Sequence, residues 1–297
     1  MTGDETTDSP TSVAVLGTGA IGTAVTRALR RAGFRVIVWN RTPERARAAL
    51  DHGARRAETA TDALDADIAI LALSDGQAVL DVLGAVATVL AGKVVVALGT
   101  VSPHEAEAAA DLAERAGGDY LGVGLQHGPE QIGSFEVQLP VGGRDDVLDR
   151  ARPVLEVIGS VRHVGTGAGA AAMWDLALFG IWYDAHLGLL RAFDNVRSAG
   201  VDIAAFAEAA RVQLQYVVEG AEGAATELVS HQYPAGPADL RQHAPVVEAL
   251  ADLRQGSTLG DGGLVAVQRL LEVRIGEGWA DAGLTALLAG SREQAGA

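Results

Sequence analysis

The sequence predicts an α/β protein, with a doubly wound parallel sheet over residues 11–165 and helices alone from residue 166 onward. Three observations lead there. Short β-branched runs alternate with helix-patterned stretches through the first half of the chain. A glycine-rich turn, Gly17-Thr18-Gly19-Ala20-Ile21-Gly22, sits between the first such run and the first helix. After Gly165 no strand-like run follows.

Taken in order, residues 1–10 (MTGDETTDSP) are polar and acidic and are expected to form a disordered tail. Ser12–Leu16 is the first strand and Phe34–Trp39 the second. The helix between them carries Val25 and Leu29 and ends near Gly33, which makes one βαβ unit. Further strands are expected at Ile68–Leu73, Val94–Leu98, Tyr120–Leu125, Val137–Val141 and Val161–Gly165. Helices are expected at Pro43–Leu50, Gln77–Leu83 and His104–Ala116. Residues 169–199 read as one helix of about 45 Å. It is apolar on more than one face and so should be buried on several sides. A small C-terminal domain cannot cover it alone, so an intertwined homodimer is expected. Segment 166–199 is therefore read as a long interdomain helix and 200–297 as a helical dimerisation and substrate domain. The latter has helices at Ile203–Gly220, Ala238–Gln255, Leu264–Gly276 and Trp279–Ala289.

Composition narrows the function. The 297 residues are 48% hydrophobic with mean hydropathy +0.19, which suits a folded chain with a sizeable core. No uncharged stretch approaches the roughly 18 residues of a membrane span. The acidic start lacks the basic and apolar regions of a signal peptide, so a cytoplasmic location is expected. A net charge of −15 without any basic stretch argues against nucleic acid. There is no cysteine, which excludes disulfides, thiolate nucleophiles, zinc–cysteine sites and iron–sulfur clusters. The seven histidines show no metal-ligand spacing, so no metal is expected. Lys93 is the single lysine beside 22 arginines. It stands before an apolar strand and reads as a solvated strand-entry residue, so lysine-dependent chemistry has no other candidate.

The turn at residues 17–22 matches G-x-G-x-x-G in the strand-then-helix context that a Rossmann dinucleotide site requires. Gly17 makes the tight turn, Gly19 lets a pyrophosphate approach the backbone, and Gly22 packs helix on strand. Ala20 and Ile21 add amides at the positive end of the helix. At the end of the second strand, sites that prefer NAD usually place a carboxylate for the ribose 2′-hydroxyl. Here stand Asn40, Arg41 and Thr42, with Arg45 one turn on and no acid before Glu44. These are donors and positive charges, which suit a 2′-phosphate and hence NADPH; the plain alternative for Arg45 is a solvated helix face. Leu73-Ser74 and Gly99-Thr100 close two further strands, where the ligand crevice of an open sheet lies. Ser74 and Thr100 read equally as cofactor contacts or as turn and helix-cap residues.

The stretch GTGAGAAAMWDLALFGIWY, residues 165–183, resembles the imine reductase and reductive aminase family, itself related to β-hydroxyacid dehydrogenases. The resemblance spans nearly the whole chain: GTGAIG with WNRTPERA, then LAGKVVVALGTVSPHEAEAAADLAERAGGDYLGVGL, then the tail IGEGWADAGLTALL. It implies NADPH-dependent reduction of a C=N bond, in a cyclic imine or a ketone–amine condensate. It also implies a homodimer whose site lies between one protomer's Rossmann domain and the other's helical domain. The family's substrate-facing pair falls on Asp175 and Tyr183 as the implied catalytic residues. Eight helical residues separate them by about 80° in azimuth and about 12 Å along the axis, so they can flank a ligand without bonding each other. An iminium cation needs a negative wall and an amine product a proton donor, which Asp175 and the Tyr183 phenol can supply. The alternatives are a paired charge for Asp175 and a core aromatic for Tyr183.

Two departures stand out. The polar residue that the family often carries near the end of the fifth strand falls on Ala97. The loop Gln126–Gly133 is more polar than expected, so His127, Glu130 or Gln131 either replaces lost contacts or belongs to a solvated loop. Trp174 and Trp182 suit either an apolar pocket or dimer packing. Two rival functions stay open. A β-hydroxyacid dehydrogenase needs a lysine where this chain has Ala171, Ala172 and Met173. A non-catalytic NADP-binding dimer needs none.

Replacing Arg41 and Arg45 together by Ala is expected to weaken NADPH binding by roughly tenfold or more while NADH binding changes little. Titration of both cofactors against cofactor fluorescence checks this; equal loss for both overturns the 2′-phosphate reading.

Overall fold

The computed structural model describes residues 12–290. The tail assigned to residues 1–10 lies outside the described residues, as do residues 291–297. The chain divides into two compact units, the first ending at Gly180 and the second starting at Ile181.

In the first unit eight strands form one sheet. They are β1 (Ser12–Leu16), β2 (Arg35–Trp39), β3 (Arg55–Arg56), β4 (Ile68–Leu71), β5 (Val94–Leu98), β6 (Asp119–Val123), β7 (Gln138–Gly142) and β8 (Ser160–Gly165). The helices are α1 (Ala20–Arg31), α2 (Arg47–Leu50), α3 (Ala60–Ala63), α4 (Gly76–Val86), α5 (Pro103–Arg115) and α6 (Asp145–Ile158). Helix α7 (Ala170–Ser198) begins in this unit. The strand order is β3-β2-β1-β4-β5-β6-β7-β8, with the first chain reversal between β1 and β4. All pairs are parallel except β6 with β7. The expected all-parallel sheet is corrected at that junction. No helix joins β6 to β7 to carry the chain back across the sheet, so β7 runs the other way.

Side-chain alternation builds two cores. Val13 and Val15 of β1, Ile68 and Ile70 of β4, and Val94 and Val96 of β5 enter one core with Val25 and Leu29 of α1 and the apolar face of α6. Their neighbours Ala14, Leu16, Ala69, Leu71, Val95 and Ala97 enter the other, against α3, α4 and α5. Both faces of the central strands are covered, which is why these strands read as unbroken apolar runs. Four elements escape the sequence pattern: β3, α3, α6 and α9 (Ala221–Ser230). Helix α6 contains Pro153, which argues against a helix. Its one-sided row Val147, Leu148, Ala151, Val154, Leu155 and Ile158 is fully buried and overrides that penalty. Lys93 is not simply solvated: its Nζ donates to the Ala66 carbonyl at 2.9 Å.

The second unit holds the remainder of α7, then α8 (Ile203–Glu219), α9, α10 (Leu240–Leu253) and α11 (Leu264–Arg274). Asp202 caps α8 and a reciprocal Asp239–Gln242 pair caps α10. The core is small: Leu240, Leu271, Ala282 and Ala286, flanked by Tyr233 and Trp279, whose rings meet edge to face at 5.5 Å. Helices α8 and α9 bury no residue.

The glycines of the turn differ in what they protect. A Cβ on Gly17 would stand 2.2 Å from the Ala72 carbonyl oxygen, at a φ of +99°, and one on Gly22 would stand 1.9 Å from the Gly17 oxygen. A Cβ on Gly19 would meet nothing within 4 Å. Gly17→Ala and Gly22→Ala are each expected to lower stability by about 2–3 kcal/mol, and Gly19→Ala to leave it near the parent. Urea denaturation of the three variants checks the contrast.

Candidate active site

Beyond the carboxyl ends of β1, β2, β4 and β5 lies a cleft of about 1030 Å³. The chain reversal between β1 and β4 opens it, because the connections after these two strands leave toward opposite faces of the sheet. Its floor is Gly17, Gly19, Ala20, Ile21 and Gly22. Helix α1 has Gly19 as its N-cap, no side-chain cap and no acid in its first turn. Its leading amides therefore lack intrahelical partners and face an open space. Room over Gly19, free amides and a positive helix end together fit a pyrophosphate.

Asn40, Arg41, Thr42 and Arg45 form one wall. Asn40 is used locally at both ends: its Oδ1 accepts from the Thr18 amide at 3.0 Å and its Nδ2 donates to the Thr42 carbonyl at 2.9 Å. It staples the glycine turn to the end of β2. Arg41 and Arg45 are exposed, and among the described residues neither forms an ion pair. Two acids share the cleft with them. Glu58 is paired to Arg56 at 2.8 Å, and Asp81 accepts from Gln77 at 2.7 Å. The wall itself thus presents two positive charges with donors, the chemistry a phosphate monoester needs. Ala60, Ala78, Val82 and Ala85 add an apolar end, beside the cap residue Thr59, that sequence reasoning missed. They come from α3 and α4 and meet only when the sheet assembles; the caps Thr59 and Asp75 were their one legible sign.

Leu73, Ser74, Gly99 and Thr100 lie on the β4 and β5 side of the same cleft. Ser74 donates its hydroxyl to Asp75 Oδ2 at 2.7 Å, and Asp75 caps α4 through the Ala78 amide. The Ser74 hydroxyl, these α4 amides and the positive charge of Arg41 hold the Asp75 carboxyl below the usual range. Thr100 does not cap a helix; its hydroxyl donates to Asp175 Oδ2 at 3.0 Å. Asp175 is 1% exposed and sits behind Thr100, off the cleft surface. Its Oδ1 has no partner.

Ala97 does not belong to the cleft wall. Its side chain points into the core formed with Ala109, Ala110 and Ala113, so its lack of a polar group removes nothing from the cleft. The strand-end wall residues are Leu98, Gly99 and Thr100. The Gln126–Gly133 loop is pinned at several points. Gln126 Nε2 donates to the Asp175 carbonyl at 3.0 Å, Gln131 Oε1 accepts from the Gly128 amide at 3.1 Å, and Arg27 of α1 donates to the Pro129 carbonyl at 3.3 Å. Ile132 is buried in the core. These ties place His127 in the cleft, with a buried Nδ1 that has no partner. Glu130 is exposed.

In the second unit Tyr183 is 56% exposed, edge-on to Trp182 at 4.9 Å, and Trp182 stacks on His186 at 5.0 Å.

Residues 12–167 match the NAD-binding domain of 6-phosphogluconate dehydrogenase, and residues 167–293 match the NADPH-dependent reductive aminase-like C-terminal domain. The chain is 27% identical over 282 residues to the NADPH-dependent reductive aminase of Aspergillus oryzae, covering 93% of this chain and 95% of that protein. It superposes on an imine reductase from Bacillus cereus with a TM-score of 0.83 and 27% identity, over 94% of this chain and 98% of that one. For the reductive aminase from Aspergillus terreus in complex with NADPH and ethyl-5-oxohexanoate the TM-score is 0.81 and the identity 27%, over 95% of this chain and all of that one. With a 6-phosphogluconate dehydrogenase-type NAD-binding domain joined to a reductive aminase-like C-terminal domain, the chain belongs to the imine reductase and reductive aminase family.

Proposed function

We propose that this protein is an NADPH-dependent imine reductase, acting on a cyclic imine or on the imine formed from a ketone and an amine. The observation that carries the reading is one continuous cleft with unpaired arginines along one wall and, along another, Thr100 backed by the buried Asp175. When bound, NADPH supplies from its nicotinamide C4 the hydride that the imine carbon accepts. Gly19, Ala20 and Ile21 hold the pyrophosphate through backbone amides, while Gly17 makes the tight turn and Gly22 lets the helix pack against it. Arg41, Thr42 and Arg45 hold the 2′-phosphate, with Asn40 keeping that wall in place. Leu73, Ser74, Gly99 and Thr100 border the nicotinamide half. Asp175 contributes negative charge that favours a protonated imine, and the Tyr183 phenol donates the proton that the amine nitrogen needs.

Residues 11–165 are the cofactor domain, 166–199 the connecting helix, and 200–297 the dimerisation and substrate domain. What α7, α8 and α9 leave uncovered supports a homodimer: Ile181, Trp182, Val217, Val218 at 74% exposure and Val229 at 83%. In that dimer the partner protomer supplies Tyr183 to the cleft. Among the described residues no helix is long and apolar enough to cross a membrane; we assign the protein to the cytoplasm. The lysine of a β-hydroxyacid dehydrogenase has no counterpart, since Lys93 is engaged with Ala66.

Tyr183→Phe keeps the ring and removes only the hydroxyl. It is expected to lower kcat on a cyclic imine by roughly 10²-fold with NADPH affinity little changed; parent-like turnover would move the proton donor elsewhere. Light scattering and circular dichroism on dilution are expected to show dimer and fold lost together. A well-folded monomer would exclude the intertwined dimer.

A further inference from the structure

His127 lines the cleft just beyond the end of β6 and takes no part in the reading above. Its ring is held in place although the ring itself bonds to nothing. Gln126 on one side is tied to the Asp175 carbonyl, Pro129 on the other accepts from Arg27 of α1, and Ile132 anchors the loop in the core. The Nδ1 of His127 is buried with no partner. A buried N–H without an acceptor is rarer than an idle lone pair, so the tautomer that fits carries its proton on Nε2. Nε2 is the nitrogen that is not buried, and it faces the cleft as a hydrogen-bond donor.

The neighbours of His127 make that donor the one side-chain N–H or O–H left for a ligand on this rim. Two hydroxyls share the rim, and both protons are committed to acids: Ser74 donates to Asp75 Oδ2 at 2.7 Å and Thr100 to Asp175 Oδ2 at 3.0 Å. Leu98 and Leu125 beside them are apolar. A ligand that covers the rim strips water from Nε2. An apolar substituent leaves the N–H unpaired, whereas an oxygen acceptor restores its bond, and sites of this kind discriminate strongly against the analogue that lacks the acceptor. Ser74 and Thr100 border the nicotinamide half, so a donor on the same rim reaches a substituent of the carbon that takes the hydride.

We propose that His127 is a specificity-determining residue whose Nε2–H selects imines that carry a carboxylate or ester oxygen on the imine carbon. The inference rests on the imine-reducing reading above and names its substrate class.

The test uses the full-length protein at saturating NADPH with three probes: 1-pyrroline-2-carboxylate, its methyl ester, and 2-ethyl-1-pyrroline, which lacks the oxygen. The parent is expected to favour the carboxylate, the ester or both over the ethyl compound by about tenfold or more in kcat/KM; which of them it favours tells an anionic from a neutral acceptor. His127→Leu should lower that ratio by about tenfold or more. His127→Gln, whose amide nitrogen reaches the Nε2 position, should keep the ratio within about threefold of the parent. His127→Asn, whose amide ends short of that position, should lose as much as His127→Leu and replaces it if the Leu variant does not fold by circular dichroism. A structural role alone would slow all three probes alike and leave the ratio unmoved. NADPH affinity by fluorescence titration should stay within about threefold in every variant. A parent without preference, a ratio unmoved in the Leu and Asn variants, a Gln variant as poor as they are, or a matching loss of NADPH affinity would overturn the proposal. If the parent reduces no imine, the imine-reducing reading fails by itself. Calorimetry on the NADP⁺-loaded protein with proline, its methyl ester and 2-ethylpyrrolidine then decides the His127 inference. Proline or its ester bound about tenfold more tightly than 2-ethylpyrrolidine, with that margin lost in His127→Asn, upholds it; equal affinities, a margin that survives the substitution, or no binding in the parent overturn it.

Discussion

The contact between the Gly17 turn and the end of β4 governs the cofactor cleft. β1 runs into its turn directly against Ala72, whose amide bonds to the Leu16 carbonyl at 2.9 Å, and the Gly17 amide bonds to the Trp39 carbonyl at 2.8 Å. The turn is thereby clamped between its two neighbouring strands with no room for a side chain at Gly17. That closeness aims the first amides of α1 outward over the sheet edge. It also brings the ends of β2 and β4 to either side of them, so the arginine wall and the β4–β5 rim become the two walls of one cleft. Asn40 adds the final tie, since it bonds both to the glycine turn and to the backbone that carries Arg41 and Arg45. Any loosening of the turn would splay all three groups together.

Charge is distributed around this frame with a consistent logic. The acids near the arginine wall are occupied, Glu58 by Arg56, Asp81 by Gln77 and Asp75 by Ser74 and α4, while Arg41 and Arg45 are left free. On the other side the arrangement inverts. Asp175 has one hydroxyl donor and no cation, in a protein interior where electrostatic effects are strong. The arginine wall of the cleft thus suits an anion, while Asp175 lies buried behind Thr100 on the other side.

The two units differ in how completely they bury themselves. The sheet of the first unit is covered on both faces. In the second unit the core of α10 and α11 with their flanking turns is small, and α8 and α9 present Val217, Val218 and Val229 to solvent. An isolated chain carries a penalty there that only another apolar surface relieves, which is the physical ground for the dimer proposal.

The local sequence alone determined most strands, the glycine turn, the basic end of β2 and the long helix, because each depends on a period or a residue type confined to a few positions. Ser12–Leu16 and Val94–Leu98 occur with the very limits expected, since runs buried on both faces carry a strong signal. Local pattern failed where a distant partner decides. Helix α6 forms despite Pro153 because its apolar row meets the sheet, and β3 is a two-residue strand that exists only because β2 offers an edge. The direction of β7 was set by the absence of a crossover helix, and the inward aim of Ala97 by the pleat of β5. The same holds for function. The sequence marked Thr100 and Asp175 separately, 75 positions apart, as one candidate cofactor contact and one candidate catalytic acid. Only folding put a hydroxyl of one against a carboxylate of the other at 3.0 Å and buried the carboxylate behind it, because hydrogen bonds between distant residues depend on the packing of whole elements and leave no periodic trace in the chain.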